Sequence, residues 1–234
     1  MSADATPPSD LTRETPAPGL QVWQPRRGYR FGVEVYALAD FALSGAPVHR
    51  AVDLGSGSGI IALLLGATGV HETAVERDPR WLTLLHRNVA GSVVAAAGSL
   101  AAGAPLRPPP VEVVEADVRT WTGGPYDVAV ANPPWFDPTH GPVSPDPWRA
   151  TSRTATHGTP EDFVAAGLRA APRICMVGPR VPTLSAGIVV TRAARLGRLY
   201  LYELARSPSA DPVPAPPWDL DAAYARWRAR SSGT

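Results

Sequence analysis

Four consecutive residues, Asn132-Pro133-Pro134-Trp135, combine hydrogen-bond acceptors with an aromatic ring at the end of an apolar run, residues 126–131. The two prolines stop the strand and carry no N–H, so the backbone there can only accept hydrogen bonds. The Asn132 amide oxygen and the Pro133 carbonyl would accept the two N–H bonds of a planar NH2 group, and Trp135 would stack on it. A turn that merely ends a strand also uses Asn-Pro, which leaves a purely structural role open. We take Asn132, Pro133 and Trp135 as the candidate catalytic residues.

A glycine-rich segment upstream has the form of a strand that runs into a tight turn and then into a helix. Gly55, Gly57 and Gly59 follow the apolar residues of 51–54 and precede the apolar residues of 60–65. Glycines let the backbone bend sharply and let a ligand approach the N-terminus of the helix. About twenty residues further on, a short strand ends in Glu76, an acid placed to hold the hydroxyls of a ribose. The pattern favours a nucleoside ligand over a turn that binds nothing.

The glycines alone do not identify that ligand. The spacing Gly57-x-Gly59-x-x-Ala62 fits the relaxed dinucleotide fingerprint, so this stretch by itself leaves NAD possible. Asp53, two residues before the first glycine, favours a ligand with a cationic amine at that point, as S-adenosylmethionine has.

Together these segments resemble the class I S-adenosylmethionine-dependent methyltransferases that methylate exocyclic or amide nitrogens. Among them the chain is most similar to the bacterial tRNA (adenine-N6)-methyltransferases that modify the anticodon loop of a valine tRNA. The resemblance extends over residues 24–180 and is carried by residues 24–32, 51–59, Glu76, 115–117, 132–135, Ser144-Pro145 and Arg149. It implies an α/β fold: a Rossmann-like seven-stranded methyltransferase sheet, mostly parallel, with a terminal antiparallel hairpin.

The resemblance also implies roles for residues around S-adenosylmethionine as the cofactor. Asp53 would face the methionine amine, Gly55 and Gly57 would line the methionine backbone, and Glu76 would hold the ribose hydroxyls. The remaining cofactor contacts expected from the resemblance are those of Tyr29, Asp117 and Asn132. For Asp117 a second interpretation is open, because an acid before residues 118–120 also suits a helix cap.

Substrate contacts are expected on the other side of the Asn-Pro-Pro-Trp box. Trp135 would stack on the base that is methylated, although a core tryptophan would fit the sequence as well. Arg149 and Arg153 lie in the long polar loop 136–159 that follows the box, and such loops often carry recognition residues. Arginines at 26, 27 and 30 would add phosphate contacts, or else form an ordinary solvated cluster.

Composition agrees with one enzyme domain and excludes several kinds of site. The chain has 234 residues, 44% of them hydrophobic, and a net charge of +1, so any contact with RNA must come from a local patch. All 22 basic residues are arginine, which excludes lysine chemistry. The single cysteine, Cys175, is expected to be a buried inert thiol, and five scattered histidines indicate no metal site. No membrane span or leader is expected. One cysteine permits no disulfide within the chain, which fits a reducing cytoplasm.

The domain organisation is expected to be simple. Residues 1–20 are predicted to be a disordered tail, 21–206 the methyltransferase domain, and 207–234 a proline-rich linker with a short C-terminal helix. Residues 91–110 indicate an insertion, and the helix before the final hairpin is expected to be cut to about 181–186. Strands are predicted near 50–54, 72–76, 111–115, 126–131, 173–177, 187–192 and 198–204, and helices near 35–43, 59–66, 79–89 and 161–171.

Three functions are compatible with the sequence. The first is methylation of the N6 amine of an adenine in tRNA or other RNA. The second is methylation of a protein glutamine or of a small-molecule amine, which the Asn-Pro-Pro-Trp box permits equally well. The third is a cofactor-binding interaction protein that has lost catalysis, a hypothesis motivated by the shortened C-terminal region.

Overall fold

The computed structural model describes residues 10–17, 19–27, 30–92, 94–95, 106–107, 110–135 and 158–207. The strands in these ranges are β1 (Leu11–Ala17), β2 (Leu20–Pro25), β3 (Arg50–Leu54), β4 (His71–Glu76), β5 (Val94–Ala95), β6 (Leu106–Arg107), β7 (Val111–Glu115), β8 (Val128–Ala131), β9 (Arg173–Gly178), β10 (Ile188–Leu196) and β11 (Leu199–Arg206). The helices are α1 (Glu34–Leu43), α2 (Ile60–Gly66), α3 (Pro79–Gly91) and α4 (Pro160–Ala170).

Seven strands form the central sheet in the order β10-β11-β9-β8-β3-β4-β7. Strands β7, β4, β3, β8 and β9 are parallel, and β11 is antiparallel to both of its neighbours. The expected fold class, a mostly parallel seven-stranded sheet that ends in an antiparallel hairpin, is therefore confirmed. The chain leaves β3 toward β4 on one side and returns to β8 on the other, so the strand order reverses between β3 and β8. Ligands of open α/β sheets bind outside the carboxyl ends of the strands at such a point.

Burial explains why these segments form their elements. Every residue of β8 and β9 is buried, as expected for parallel strands that are covered on both faces. Helix α2 is buried along its whole length, and α4 begins at a capping box in which the side chains of Thr159 and Asp162 bond each other's backbone N–H. The apolar side chains divide into two main clusters, one that includes α1 and α2 and one that includes α4.

The N-terminal segment differs from the prediction of a disordered tail up to residue 20. Strands β1 and β2 form an antiparallel hairpin with Leu11, Leu20 and Val22 buried. Leu11 packs against Trp81 and Leu84 of α3, so the hairpin is held by contacts with a distant helix. A composition rich in proline, serine and threonine predicted disorder because those contacts are not visible locally. Residues 1–9 lie outside the described residues.

The structure also bears on the expected short helix before the final hairpin, the expected insertion and Cys175. Residues 181–186 form no helix, and the short strands β5 and β6 pair within the stretch expected to be an insertion. Cys175 is buried as expected, and burial raises the pKa of its thiol to about 12. Among the described helices, none is both long enough and apolar enough to cross a membrane. The predicted linker and helix beyond residue 207 lie outside the described residues.

Candidate active site

A cleft with a volume of about 100 Å³ opens at the carboxyl ends of β3, β4 and β8, where the strand order reverses. It brings the glycine turn, the end of β4 and the Asn-Pro-Pro-Trp box to one cavity. The lining residues are Val35, Gly55, Ser56, Gly57, Ser58, Ile60, Ile61, Val75, Glu76, Arg77, Asp78, Trp81, Ala116, Val118, Asn132, Pro134 and Phe163.

The glycine turn between β3 and α2 presents its backbone to this cleft. The N–H groups of Gly55 and Ser56 both donate to the carbonyl of Val75, at 2.8 and 3.0 Å, which fastens the turn to β4. Gly57 has a φ of +55°, and a Cβ built there would lie in ordinary van der Waals contact with the Trp81 ring, 3.8 Å away. Gly59 has a φ of +81° at the N-terminus of α2. A side chain at either position would be strained, so the turn requires glycine there.

Glu76 joins the glycine turn to the start of α3. Its carboxylate accepts hydrogen bonds from the backbone N–H of Gly57 at 2.9 Å, of Arg77 at 2.7 Å and of Asp78 at 2.8 Å. Burial raises the pKa of this carboxyl, while the three N–H donors act in the opposite direction. The same side chain lines the cleft, so one acid both shapes the turn and faces a ligand.

Asp53 lies at the end of β3 and is only 1% exposed. It is not among the residues that line the cleft, and its Oδ2 has no hydrogen-bond partner among the described residues. Burial raises its pKa to about 7, with bonds from the Ala62 N–H and the Ser56 hydroxyl opposing the shift and the charge of Glu76 adding to it. A second buried acid, Glu72 of β4, also has a raised pKa because of burial and the charge of Asp53.

The Asn-Pro-Pro-Trp box divides between two locations. Asn132 and Pro134 line the cleft directly after β8, whereas Pro133 and Trp135 are not among the lining residues. The indole N–H of Trp135 donates to the carbonyl of Val177 at 3.2 Å, and the ring lies so close to Gly178 that no side chain would fit there. Trp135 therefore packs against the end of β9, which agrees with the core interpretation, and its stacking on a substrate stays a prediction.

Asp117 lies beside the cleft but is already paired. Its carboxylate contacts the guanidinium groups of Arg119 at 2.6 Å and Arg77 at 2.7 Å. The hydrogen bond from Arg119 is the main reason that the pKa of Asp117 falls to about 2. Asp117 also accepts from the backbone N–H of Arg119 at 3.0 Å, as a residue that caps a turn does. The neighbours Ala116 and Val118 line the cleft, and a role for Asp117 toward an adenine stays a prediction.

Two residues that line the cleft and one that supports the glycine turn were missed in the sequence. Trp81 and Phe163 form aromatic walls of the cleft and are 4% and 5% exposed. Asn88, which is fully buried on α3, accepts from the Trp23 N–H at 2.7 Å and donates to the carbonyls of Trp23 and Ser58 at 3.0 and 2.7 Å. Asn88 thus connects the N-terminal hairpin to the glycine turn. Its position seven residues after Trp81, on the apolar face of α3, was the available signal.

Some predicted site residues cannot be placed. Tyr29, Arg149 and Arg153 lie outside the described residues. Of the N-terminal arginines, Arg26 and Arg27 are exposed, and Arg30 forms an ion pair with Glu14 at 2.6 Å. No group of three or more potential metal ligands occurs in the ranges that the structure describes.

The chain is similar to curated proteins over about half of its length. The chain is 37% identical over 120 residues to the tRNA1(Val) (adenine(37)-N6)-methyltransferase of Erwinia tasmaniensis, covering 49% of this chain and 43% of the relative. It is 34% identical over 127 residues to the protein of the same name from Aeromonas hydrophila, covering 52% and 48%. The chain therefore spans about half the length of the curated relatives it matches. No protein-family model matches the chain.

Solved structures share the fold at low sequence identity. The catalytic domain of hMettl16, in complex with a hairpin of the MAT2A 3'UTR, superposes with a TM-score of 0.52 at 20% identity and covers 86% of this chain and 79% of that one. PH1948 of Pyrococcus horikoshii, a candidate RNA methyltransferase, superposes with a TM-score of 0.53 at 15% identity, with 78% and 87% covered. The fold is that of these methyltransferases, and the resemblance expected from the motifs is confirmed.

Proposed function

We propose that this protein is an S-adenosylmethionine-dependent N-methyltransferase that acts on the N6 amine of an adenine in tRNA. One observation carries the proposal: Asn132 and Pro134 line the same cleft as the glycine turn and Glu76. An acceptor for an amine and a pocket suited to a nucleoside thus share one cavity. The curated relatives, named for adenine-N6 methylation of a tRNA, support the same reaction.

The residues present fit S-adenosylmethionine. Gly55 and Gly57 line the cleft with backbone that a ligand can approach, and Glu76 lines the cleft where ribose hydroxyls would donate to it. Asp53 has a buried oxygen without a partner among the described residues, and a carboxylate oxygen in that state suits a cationic amine. The expected cofactor residues among the described ones are therefore Asp53, Gly55, Gly57, Glu76 and Asp117, with Asn132 at the boundary with the substrate.

The chemistry asked of the protein is mainly alignment. S-adenosylmethionine supplies, when bound, a methyl group that is already activated on a sulfonium sulfur. An adenine amine is a weak nucleophile because its lone pair is delocalised into the ring. The Asn132 side-chain oxygen and the Pro133 carbonyl would accept its two N–H bonds, and these acceptors stabilise the positive charge that develops on the nitrogen. The walls formed by Trp81 and Phe163 would exclude water, and the proton can leave to solvent afterwards.

The first prediction concerns the choice of cofactor. Calorimetry with S-adenosylhomocysteine should reveal one saturable site on the purified chain, and NAD should not compete for it. The physical reason is the buried oxygen of Asp53 near the glycine turn, which suits an ammonium and not a nicotinamide nucleotide. Saturable binding of NAD without any response to S-adenosylhomocysteine would contradict the methyltransferase assignment.

The substrate is tested separately in cells. Mass spectrometry of total tRNA from a strain lacking the gene should show a loss of N6-methyladenosine that re-expression restores. Unchanged tRNA from that strain, together with activity toward a small amine or a glutamine peptide, would favour the second function. Cofactor binding without transfer to any of these would favour the interaction protein.

The second prediction concerns pH and Asp53. The pKa of Asp53 in the folded protein is about 7, above the ordinary value of 3.8. Its protonated carboxyl therefore contributes stability to the free protein that is complete below about pH 4 and is lost as the pH rises through 7. A ligand that needs the ionised carboxylate should therefore bind roughly tenfold more weakly at pH 6 than at pH 8. Calorimetric titrations of S-adenosylhomocysteine at both values provide the measurement.

Asp53→Asn is the matched control for this pH effect, because it keeps the shape of the side chain and removes the titration. The variant should bind the ligand more weakly at pH 8 and should lose most of the difference between the two pH values. The buried Glu72 and Glu76 also titrate and remain in the variant, so they account for any residual slope. An unchanged pH dependence in Asp53→Asn would mean that the ionisation of another residue controls ligand binding.

A further inference from the structure

A tryptophan with two arginines on its ring lies on the surface formed by the N-terminal hairpin and α3. The guanidinium carbon of Arg87 lies 4.3 Å from the ring centroid of Trp23, and that of Arg13 lies 5.7 Å from it. Arg13 is exposed, while Arg87 and Trp23 are half-buried. We name these three residues the hairpin–α3 patch. Cation–π contacts of this kind hold a guanidinium in place while leaving its N–H groups available.

The two chain segments that carry the patch have an excess of positive charge that the whole chain lacks. Residues 10–30 and 78–91 contain six arginines and three carboxylates, although the chain as a whole has a net charge of only +1. Two of the six arginines, Arg30 and Arg80, are paired with acids. Within the described ranges Arg13 and Arg87 form no ion pair, so their charge is available to a partner.

The hairpin is fixed relative to the cleft by hydrogen bonds from α3. Asn88 bonds both backbone groups of Trp23, and one turn later the Ser92 hydroxyl bonds both backbone groups of Gln21, at 3.3 and 3.1 Å. The two side chains thus replace a neighbouring strand along the free edge of β2. Trp81 contacts the hairpin through Leu11 and also lines the cleft. These contacts attach the hairpin, and the patch with it, to the helix that carries the cleft residue Trp81.

Electrostatics separates the two surfaces. The charged residues that line the cleft are Glu76, Asp78 and Arg77, with Asp53 buried close by, so acids outnumber bases there and the cleft offers phosphates no excess of positive charge. An RNA that presents an adenine to the cleft must therefore be neutralised outside it. The hairpin–α3 patch is connected to the wall of the cleft through Asn88 and Trp81. It offers guanidinium groups outside any described ion pair, which bind phosphate oxygens through two parallel N–H bonds.

We propose that the hairpin–α3 patch binds backbone phosphates of the RNA substrate next to the nucleotide that is methylated. This inference rests on the proposed function, because it assumes that the substrate is RNA. It assigns Arg13 and Arg87 to RNA positioning and Trp23 to holding both guanidinium groups.

The test uses the double variant Arg13→Gln with Arg87→Gln, which removes both charges and keeps an aliphatic stem against Trp23. Affinity for a stem-loop RNA with an unpaired loop adenine is measured over a series of salt concentrations. The slope of log affinity against log salt should become shallower by about 1.4, because each single-strand phosphate that a guanidinium neutralises contributes about 0.7 to that slope. Affinity for S-adenosylhomocysteine should not change.

Two further double variants serve as controls. Arg195→Gln with Arg198→Gln removes the same charge from the β10–β11 end at the opposite edge of the sheet and should leave the slope within error of the wild type. Arg13→Lys with Arg87→Lys keeps the charge and should retain most of the slope. Equal effects of the two Gln variants, or equal behaviour of the Gln and Lys variants at the patch, would refute the patch. A wild-type chain that binds no RNA at any salt concentration would instead refute the proposed RNA substrate.

Discussion

Replacing Asn132 by alanine should lower the rate of methyl transfer by roughly 10²–10³, the usual loss when one preorganised polar group is removed from an active site. The side chain lines the cleft at the end of β8, and its oxygen is proposed to accept from the reacting amine. That bond strengthens as the nitrogen becomes tetrahedral, so the loss should fall on the rate constant. Single-turnover rates at saturating cofactor measure it directly.

Binding measurements provide the control for this variant. Because the contact acts mainly in the transition state, affinity for S-adenosylhomocysteine should stay within a few-fold of the wild type. Asn132→Asp keeps acceptor oxygens on a stem of the same length and should retain more activity than Asn132→Ala. Full activity in Asn132→Ala would mean that the amine is held by other residues.

Replacing Glu76 by alanine should weaken the binding of S-adenosylhomocysteine by at least roughly a hundredfold. The carboxylate accepts from the N–H groups of Gly57, Arg77 and Asp78, and it is proposed to accept from the ribose hydroxyls as well. A hydrogen bond to a charged group contributes about 1.5–3 kcal/mol, and each 1.4 kcal/mol changes affinity tenfold. The loss of two such bonds to the ribose therefore weakens binding more than a hundredfold, before any loosening of the glycine turn is counted. Calorimetry well below the melting temperature measures the effect.

Glu115→Ala is the matched control for Glu76→Ala. Glu115 ends the adjacent strand β7 in register with Glu76, and it is exposed. Its removal takes the same charge from the same edge of the sheet without touching the glycine turn, so the affinity should not change. Glu76→Gln retains an acceptor for some of the N–H donors and should bind with intermediate affinity. Equal affinity in Glu76→Ala and Glu115→Ala would remove Glu76 from the site.

Local patterns were sufficient for the sheet and for the part of the site that depends on the backbone. Apolar runs separated by helical segments predict β3, β8 and β9, because parallel strands that are buried on both faces are apolar along most of their length. The edge strand β7 is predicted instead by its alternation of valine and glutamate. Glycines at 55, 57 and 59 predict the turn because positive φ angles exclude most side chains there. The prolines after Asn132 predict that β8 ends at that point. Since parallel strands share one carboxyl edge, the same patterns place the turn, Glu76 and Asn132 together.

Contacts between segments far apart in the sequence decided whether the N-terminal hairpin is ordered and where the Trp135 ring packs. The hairpin of β1 and β2 is held by hydrogen bonds with Asn88 and Ser92, which lie 65 and 71 residues further along the chain. Apolar contacts with Trp81 and Leu84 add to these bonds. The composition of the hairpin alone could therefore not show that it is ordered. Trp135 follows the amine receptor directly, yet its ring packs on Gly178 of another strand.

The acids differ for the same reason. Asp53, Glu76 and Asp117 all lie at or just after the carboxyl ends of strands, and the resemblance assigns each of them a cofactor contact. In the folded chain Asp53 is buried with an oxygen that no described residue satisfies, Glu76 binds three N–H groups, and Asp117 is neutralised by two arginines. Residue type and spacing specify where along the chain a carboxylate can be. Its burial and its charged neighbours, which set its pKa and its availability to a ligand, are properties of segments that meet only when the chain folds.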